Sequence, residues 1–357
     1  MKIVFMGTPD FAAGALDALV RAGHEIVLAV TQPDKPKGRG GQTAQPPVKE
    51  YALPKGIPVF QPERIKRPEA VEELRKYPAD IFVVAAFGQI LPQEILDMPK
   101  YGCLNIHASL LPKYRGASPI QHVIIDGEEK TGVTVQQMNA GLDTGDMLYK
   151  KEIPILKNDT FETLHDKLME LGGEAITEAL VLLEQGKLKA EPQDDSLSSY
   201  APKITKDMGK LDFTRDAAAL DRQIRGMTPW PSAYTYYNGK QLKIWRAEPA
   251  EPAQPEGAAS REEIVAAENG GRASSGEGNA AENRTEASDG AKTALAENRG
   301  AAAPGEIVEV TKDCVKIAAG AGVLCVYELQ LEGKKRMKTH DFLLGVKLQP
   351  GDRLGDL

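Results

Sequence analysis

In the first half of the chain, short apolar runs of strand length alternate with stretches of helical periodicity. No other feature constrains the fold as much. The runs occupy residues 3–6, 25–31, 57–60, 81–86 and 103–107, with helical spacing at 11–21 and 69–76 between them. Strands alternating with helices build βαβ units and a mostly parallel sheet. The run Ile81-Phe82-Val83-Val84-Ala85-Ala86 is apolar throughout, as suits a strand covered on both faces. The pattern predicts a Rossmann-like α/β domain, its mostly parallel sheet carrying helices on both faces. Ser118-Pro119 offers an N-cap followed by Pro at the first helical position. Residues 133–135 and 147–149 read as two further strands flanking the Gly141-Leu142-Asp143-Thr144-Gly145 turn. Asp159-Thr160-Phe161-Glu162 has helix-start chemistry before a long amphipathic stretch ending near Gly186.

The second half reads differently. Residues 187–205 hold Pro192, Asp194, Asp195, Pro202 and several serines, which suits a linker. A helical pattern near 217–225 precedes strand-like runs at 234–237, 241–245, 305–310, 315–318 and 323–329, which predict a small β-barrel. The expected organisation is an α/β domain over 1–188, a linker over 189–205 and an OB-like barrel domain over 206–357. An acidic, low-complexity stretch of Ala, Glu, Gly, Ser and Asn over 249–303 interrupts the barrel. With almost no aromatic residues it cannot bury enough apolar surface to offset its ordering entropy. It is expected to be disordered, with at most a marginal helix near 261–268.

A length of 357 residues suits two domains. Three cysteines, Cys103, Cys314 and Cys325, are widely spread and odd in number, so neither a disulfide framework nor a CxxC metal site is indicated. Met1-Lys2-Ile3-Val4-Phe5-Met6-Gly7 reads as a buried strand rather than a signal peptide, and no stretch approaches the ~20 apolar residues of a membrane span. A cytoplasmic monomer without a membrane partner is expected. The net charge of −7 argues at first against a nucleic-acid partner. Its distribution softens that: residues 247–305 carry eleven acids against five bases, residues 203–246 nine bases against four acids, and the remaining tail eight of each. Without its acidic segment the C-terminal region is net basic, which permits a polyanion footprint without requiring one.

The residues with chemistry in them are few. Gly7-Thr8-Pro9-Asp10-Phe11 follows the first strand but lacks the second and third glycines of a dinucleotide loop, and no Walker loop occurs. Of the five histidines, His24, His122, His165 and His340 sit singly in ordinary helical or loop contexts. His107 ends a strand, two residues after Asn105, and alternation points both side chains to one face. Ligands of open α/β sheets bind outside the carboxyl ends of strands. An amide N–H can hold a developing oxyanion and an imidazole can move a proton near neutral pH. A structural histidine capping the loop is the competing reading. Asp143, between two glycines, is read either as a solvated turn residue or as the carboxylate that orients the imidazole.

Taken together, Asn105-Ile106-His107-Ala108-Ser109-Leu110-Leu111-Pro112-Lys113-Tyr114-Arg115-Gly116 and Gly141-Leu142-Asp143-Thr144-Gly145-Asp146-Met147-Leu148 resemble the signature of the folate-dependent formyltransferases. The opening Phe5-Met6-Gly7-Thr8-Pro9-Asp10-Phe11-Ala12, the segment from Thr31 through Arg39 to Gly40, and Pro229-Trp230-Pro231 narrow the resemblance to the branch that formylates methionine on initiator methionyl-tRNA. It covers nearly the whole chain except 249–303. It implies 10-formyltetrahydrofolate as formyl donor and Asn105, His107 and Asp143 as the catalytic residues, with no metal and no covalent enzyme intermediate. It also implies a folate site made by Ser109, Leu110, Leu111 and Pro112 together with Phe87, Gly88, Gln89, Ile90 and Leu91.

The stretch 31–47 is long for a strand-to-helix connection, commonly about 2–6 residues, and its composition alone fits a surface loop. The resemblance implies a lid that orders on the tRNA acceptor end through Lys35, Lys37 and above all Arg39. Phosphate contacts are expected from Arg222, Lys243, Lys334, Lys335, Arg336 and Lys338, with the acidic segment projecting away from the bound tRNA. Sister activities on glycinamide ribonucleotide or on an amino-sugar nucleotide share the Asn, His and Asp core. The first usually lacks a second domain; the second is the stronger rival, against which the Arg39 loop counts. A folate- or RNA-binding protein without catalysis would have no need of all three residues.

Overall fold

The computed structural model describes residues 1–37, 42–250 and 302–355. The first half runs β1 (Lys2–Gly7), α1 (Asp10–Arg21), β2 (Glu25–Val30), β3 (Lys35–Lys37), β4 (Gln42–Ala44), α2 (Pro47–Ala52), β5 (Val59–Phe60), α3 (Pro68–Arg75) and β6 (Ile81–Ala85). It continues through α4 (Gln93–Leu96), β7 (Cys103–His107), β8 (Arg115–Gly116), α5 (Pro119–Asp126), β9 (Lys130–Gln137), β10 (Met147–Pro154) and α6 (Phe161–Glu184). Seven strands form one sheet in the order β10-β9-β7-β6-β1-β2-β5. Five of them, β5 to β7 in that order, are parallel, and the β9-β10 hairpin runs antiparallel at one edge.

Alternation explains why both faces of this sheet are dry. Ile3, Phe5, Val83, Leu104 and Ile106 pack against Leu16 and Leu19 of α1 and Leu168 and Ile176 of α6. Val4, Met6, Phe82, Val84 and Cys103 face the other way, onto Val71, Leu74, Ile95 and Leu96. Each fully buried leucine or isoleucine here stabilises the fold by about 2 kcal/mol. Burial also pushes the Cys103 thiol up to about 12. At the start of α6, Thr160 and Thr163 form a reciprocal capping box. Ser118, expected to cap α5, does not do so; its hydroxyl accepts from the Ile204 backbone N–H at 3.2 Å. A donor from a distant segment takes the oxygen that local sequence would give to the helix.

The second half comprises β11 (Tyr200–Ala201), α7 (Ala217–Met227), β12 (Ala233–Tyr237), β13 (Lys240–Ala250), β14 (Ile307–Val310), β15 (Val315–Ala318), β16 (Val323–Leu331), β17 (Met337–Lys338) and α8 (Thr339–Gly345). Its sheet runs β12-β13-β16-β15-β14, with β17 beside β16, all antiparallel, around a core of Leu220, Ile224, Leu242, Ile244, Ile317, Leu324, Val326 and Phe342. The Ile307 N–H donates to Asp352 O, Leu354 N–H to Gly305 O and Gly355 N–H to Tyr236 O. The C-terminal tail therefore bridges the two outer strands, β14 and β12, and curls the sheet toward closure. Helix α7 joins the halves: Arg222 Nε donates to Ile125 O at 3.3 Å and an Arg225 N–H to Asp159 O at 2.9 Å.

Three expectations need correction. Cys314 and Cys325, read as unconnected, form a disulfide with Cα atoms 5.8 Å apart. Cysteine count and spacing are blind to the β15-β16 hairpin, whose Val315–Val326 pairing brings the two together. Pro249 and Ala250, assigned to the acidic segment, end β13, paired with Leu324 and Val323. The proline is tolerated because β12 pairs only with residues 240–244 of β13, leaving that edge open. Positions 251–301, including the expected helix, lie outside the described residues. The stretch 31–47 is not a plain loop: β3 and β4 form a hairpin whose base is pinned by Lys49 Nζ and Gln61 Nε2 on the Asp34 carboxylate. The Gln61 amide, then Lys49, hold that carboxyl below its usual range. Arg39 lies outside the described residues.

Candidate active site

Strand β7 ends at the carboxyl edge of the parallel sheet, and its last residues turn alternate side chains away from the core that takes Leu104 and Ile106. Asn105 and His107 share the other direction. Cross-strand pairing sets Gln136 of β9 opposite Asn105 and Thr134 opposite His107, so four polar side chains stand in two rows on one surface. The fifth, Asp143, arrives on the turn after β9, in the left-handed region at φ 53°. Asn105 Nδ2 lies 3.4 Å and His107 Nδ1 3.7 Å from the same oxygen, Asp143 Oδ1. The structure thus brings Asn105, His107 and Asp143 together.

The imidazole faces Asp143, the carboxylate read as orienting it, without a hydrogen bond to it. At 3.7 Å that contact is too long for a hydrogen bond. The Tyr114 carbonyl orients the ring, 2.8 Å from Nε2. A carbonyl only accepts, so Nε2 carries a proton and Nδ1 is the nitrogen turned to Asp143. Tyr114 is itself fixed: its N–H donates to Ser199 Oγ at 2.9 Å and its hydroxyl to Glu128 at 3.0 Å. Burial first, then that bond to Glu128, push its phenol above the ordinary range.

Asp143 is gripped on every side. Gly116 N–H donates to Oδ2 at 2.9 Å and Gln136 Nε2 to Oδ1 at 3.0 Å. Gln193 Nε2 bonds both the Asp143 carbonyl, at 2.8 Å, and the Gly145 carbonyl, at 2.7 Å. Gly145 has to be glycine, because a Cβ there would collide with the Gln137 carbonyl. The stretch expected as a linker is therefore a strap across the site. Glu191 pairs with Met147, Arg115 holds Gln193 and Asp195 at 2.9 and 2.7 Å, and β11 pairs with β8 beside Gly116. Tyr114, Gln136 and Gln193 were missed by sequence reasoning. Gln136 alone had a signal, its same-face spacing with Thr134 on a strand.

Two loops rim this cluster. Ser109, fully buried, donates to Lys113 O at 2.7 Å, while Thr134 Oγ1 donates to Ser109 O and accepts from Leu111 N–H. Leu111 is buried and Leu110 and Pro112 half-buried. After β6 the backbone turns at Ala86 (φ 45°) and Gly88 (φ 82°). Phe87 and Leu91 go into the core, and the Phe87 carbonyl accepts from Thr8 and Gln32. Gln89 bonds Ile65 N–H and Pro62 O, and Ile90 projects 80% exposed. Two surface grooves, one around Gly14, Arg21 and Met169 and one around Tyr77 and Pro99, lie away from this chemistry. Among the described residues no three His, Cys, Asp or Glu gather as a metal site.

The basic residues divide. Lys35 is exposed on β3 and Lys37 ends that strand. Lys334, Lys335, Arg336 and Lys338 are exposed at and after the β16 turn. Lys243 and Arg336 lie over the Trp245 ring, 5.7 and 4.8 Å from its centre. Arg336 also pairs with Glu328, and Arg222 has its guanidinium on the α5 carbonyl end rather than on a free surface.

A chain with this sheet, this polar cluster and a second antiparallel domain is a formyl transferase. The family profile described as formyl transferase matches residues 1–180, that for the formyl transferase C-terminal domain matches 203–347, and the chain belongs to this family. Its full-length relatives are narrower in kind. The methionyl-tRNA formyltransferase of Citrifermentans bemidjiense is 46% identical over 355 residues, covering 99% of this chain and 96% of that protein. The protein of the same name from Geobacter sulfurreducens is 45% identical over 356 residues, covering 100% and 97%. Among solved structures, an N-formyltransferase from Helicobacter canadensis, bound to folinic acid and dTDP-3-aminofucose, superposes with a TM-score of 0.61 at 16% identity, over 94% of this chain and 100% of that one. HypX from Aquifex aeolicus, in complex with tetrahydrofolic acid, gives 0.57 at 17% identity; this chain matches it over its whole length but spans only 51% of that protein. Those two likenesses speak for the fold alone.

Proposed function

We propose that this chain transfers the formyl group of 10-formyltetrahydrofolate to the α-amine of methionine on initiator methionyl-tRNA, as a cytoplasmic monomer. One observation carries the reading: Asn105, His107 and Asp143 converge at the carboxyl end of β7 in a chain whose relatives of that name match it end to end. The amine attacks the formyl carbon, a C–N bond forms, and the formyl oxygen becomes an oxyanion. Asn105 has a second amide N–H to give it. His107 Nδ1, unprotonated at rest and turned toward Asp143, takes up the proton that the amine loses, directly or by way of Asp143 or a water. The imidazolium so formed stabilises the oxyanion beside Asn105, and the same proton passes to the folate nitrogen as its C–N bond breaks, which returns His107 and Asp143 to their starting states. The loops Phe87 to Leu91 and Ser109 to Pro112 would hold the folate. Lys35, Lys37 and Arg39 would take the acceptor end of the tRNA, and Lys243, Lys334, Lys335, Arg336 and Lys338 its phosphates.

The test offers 10-formyltetrahydrofolate with either methionyl-tRNA or an amino-sugar nucleotide. N-formylmethionyl-tRNA is the expected product; transfer to the sugar alone overturns the reading.

A further inference from the structure

We propose that Gln136 is a positioning residue for formyl transfer, holding the Asp143 carboxylate so that one oxygen faces both Asn105 and His107. The proposal rests on the reading of Asp143 as catalytic. Gln136 sits in β9, and its backbone is locked opposite Asn105 on one side and Met147 on the other. Its side chain is only 2% exposed. Nε2 donates to Asp143 Oδ1 at 3.0 Å, and since a carboxylate only accepts, this bond settles which end of the amide is N–H. Oε1 is then left buried with no partner among the described residues. Burying an amide with its oxygen unpaired costs more than burying an apolar side chain of the same length. Stability alone would thus favour methionine here; what glutamine supplies is the donor to Asp143.

That donor matters because of where Asp143 stands. Its neighbours Gly141 and Leu142 are exposed, and its backbone is in the left-handed region. Without Gln136 the remaining donor to Oδ1 among the described residues is Asn105, at 3.4 Å. The carboxylate would then swing about Oδ2, which Gly116 N–H still holds, and Oδ1 would leave its place beside the imidazole. Bonds from a neutral donor to a carboxylate are among the stronger ones in proteins, so the loss should be felt in turnover as roughly a tenfold to hundredfold drop in kcat.

The experiment compares wild type, Gln136→Met and Gln136→Glu in formylation of methionyl-tRNA, with the melting temperature measured alongside. Gln136→Met is expected to melt at or above the wild-type temperature, to keep both KM values within about twofold, and to lose kcat by that factor. A purely structural glutamine would give the reverse, a lower melting temperature with kcat intact. Gln136→Glu can donate to Asp143 only while its carboxyl is protonated, so its kcat should fall with rising pH over a range where the wild type does not fall. Asp143 and, beyond it, His107 are the titratable groups against this position. Should Gln136→Met fold poorly, the pH profile of Gln136→Glu decides. A Met variant with unchanged kcat, or a Glu variant with the wild-type profile, overturns the proposal. A wild type inactive on methionyl-tRNA counts against the functional reading instead.

Discussion

Asn105 and His107 differ in how they are held, and this gives their substitutions different signatures. Asn105 makes one long contact, 3.4 Å to Asp143, so little of the fold depends on its amide. Asn105→Ala should leave the melting temperature within about 2 °C and cut kcat by roughly a hundredfold to a thousandfold, the usual cost of losing one oxyanion donor. Equal losses in kcat and kcat/KM in steady-state formylation would mark an interaction made only in the transition state; a loss confined to KM would mean that Asn105 serves binding. His107 is tied to the Tyr114 carbonyl and thereby to Ser199 in the strap. Period-two spacing made Asn105 and His107 legible as a pair. Tyr114 was not legible, because the contribution is a backbone carbonyl that any residue type could make.

Strand and helix identities followed from periodicity, since β7 and β15 are apolar runs bounded by turns and α6 is an amphipathic run with a cap. Element ends and attachments depended on partners far along the chain, as with Ser118, and short pieces such as β17 and α8 have too few residues to show a period. The start of α6 carries a prediction of its own. Asp159 is buried, and its carboxylate accepts from Leu156 N–H at 2.8 Å, Thr163 Oγ1 at 2.9 Å and Lys167 Nζ at 2.7 and 2.9 Å. Burial works to raise its pKa, but Lys167 and the other donors outweigh it and hold the carboxyl below the ordinary carboxylate range. A depressed carboxylate stabilises the fold fully above its unfolded pKa. That contribution drains as pH falls from about 5 through the depressed value. Asp159→Asn should therefore cost about 2 kcal/mol near neutral pH and less in acid, where wild type has lost part of the same term. Urea unfolding of both proteins at pH 7 and pH 3 measures this; an equal difference at the two pH values would mean that the charge of Asp159 contributes nothing. Because Arg225 donates to the Asp159 carbonyl, loosening this turn should also loosen the attachment of the second domain.

On the scale of the molecule, α7 on α5, the strap across Asp143 and the tail bridging β12 and β14 hold together two domains whose existence composition and periodicity made plain. The strap itself was illegible, because serines and prolines that read as a linker give no sign of the backbone and side-chain bonds they make elsewhere. The acidic stretch between β13 and β14 can be tested for its place in this whole. Ala250 pairs with Val323, Val323 with Ala318, and Ala318 accepts from the Gly305 N–H. Three strand spacings of about 4.8 Å separate the two chain ends by roughly 14 Å. About eight Gly and Ser residues span that comfortably. Replacing 251–301 by such a linker shortens the loop, and loop closure alone should raise stability by roughly 1–2 kcal/mol. The replaced residues carry net negative charge, which repels a polyanion at low salt and is screened at high salt. The shortened protein should accordingly keep its kcat, show an unchanged or lower KM for methionyl-tRNA at 50 mM salt, and match wild type at 200 mM. A variant that melts normally but formylates poorly at both salt concentrations would show that the stretch takes part in binding the tRNA or in the reaction.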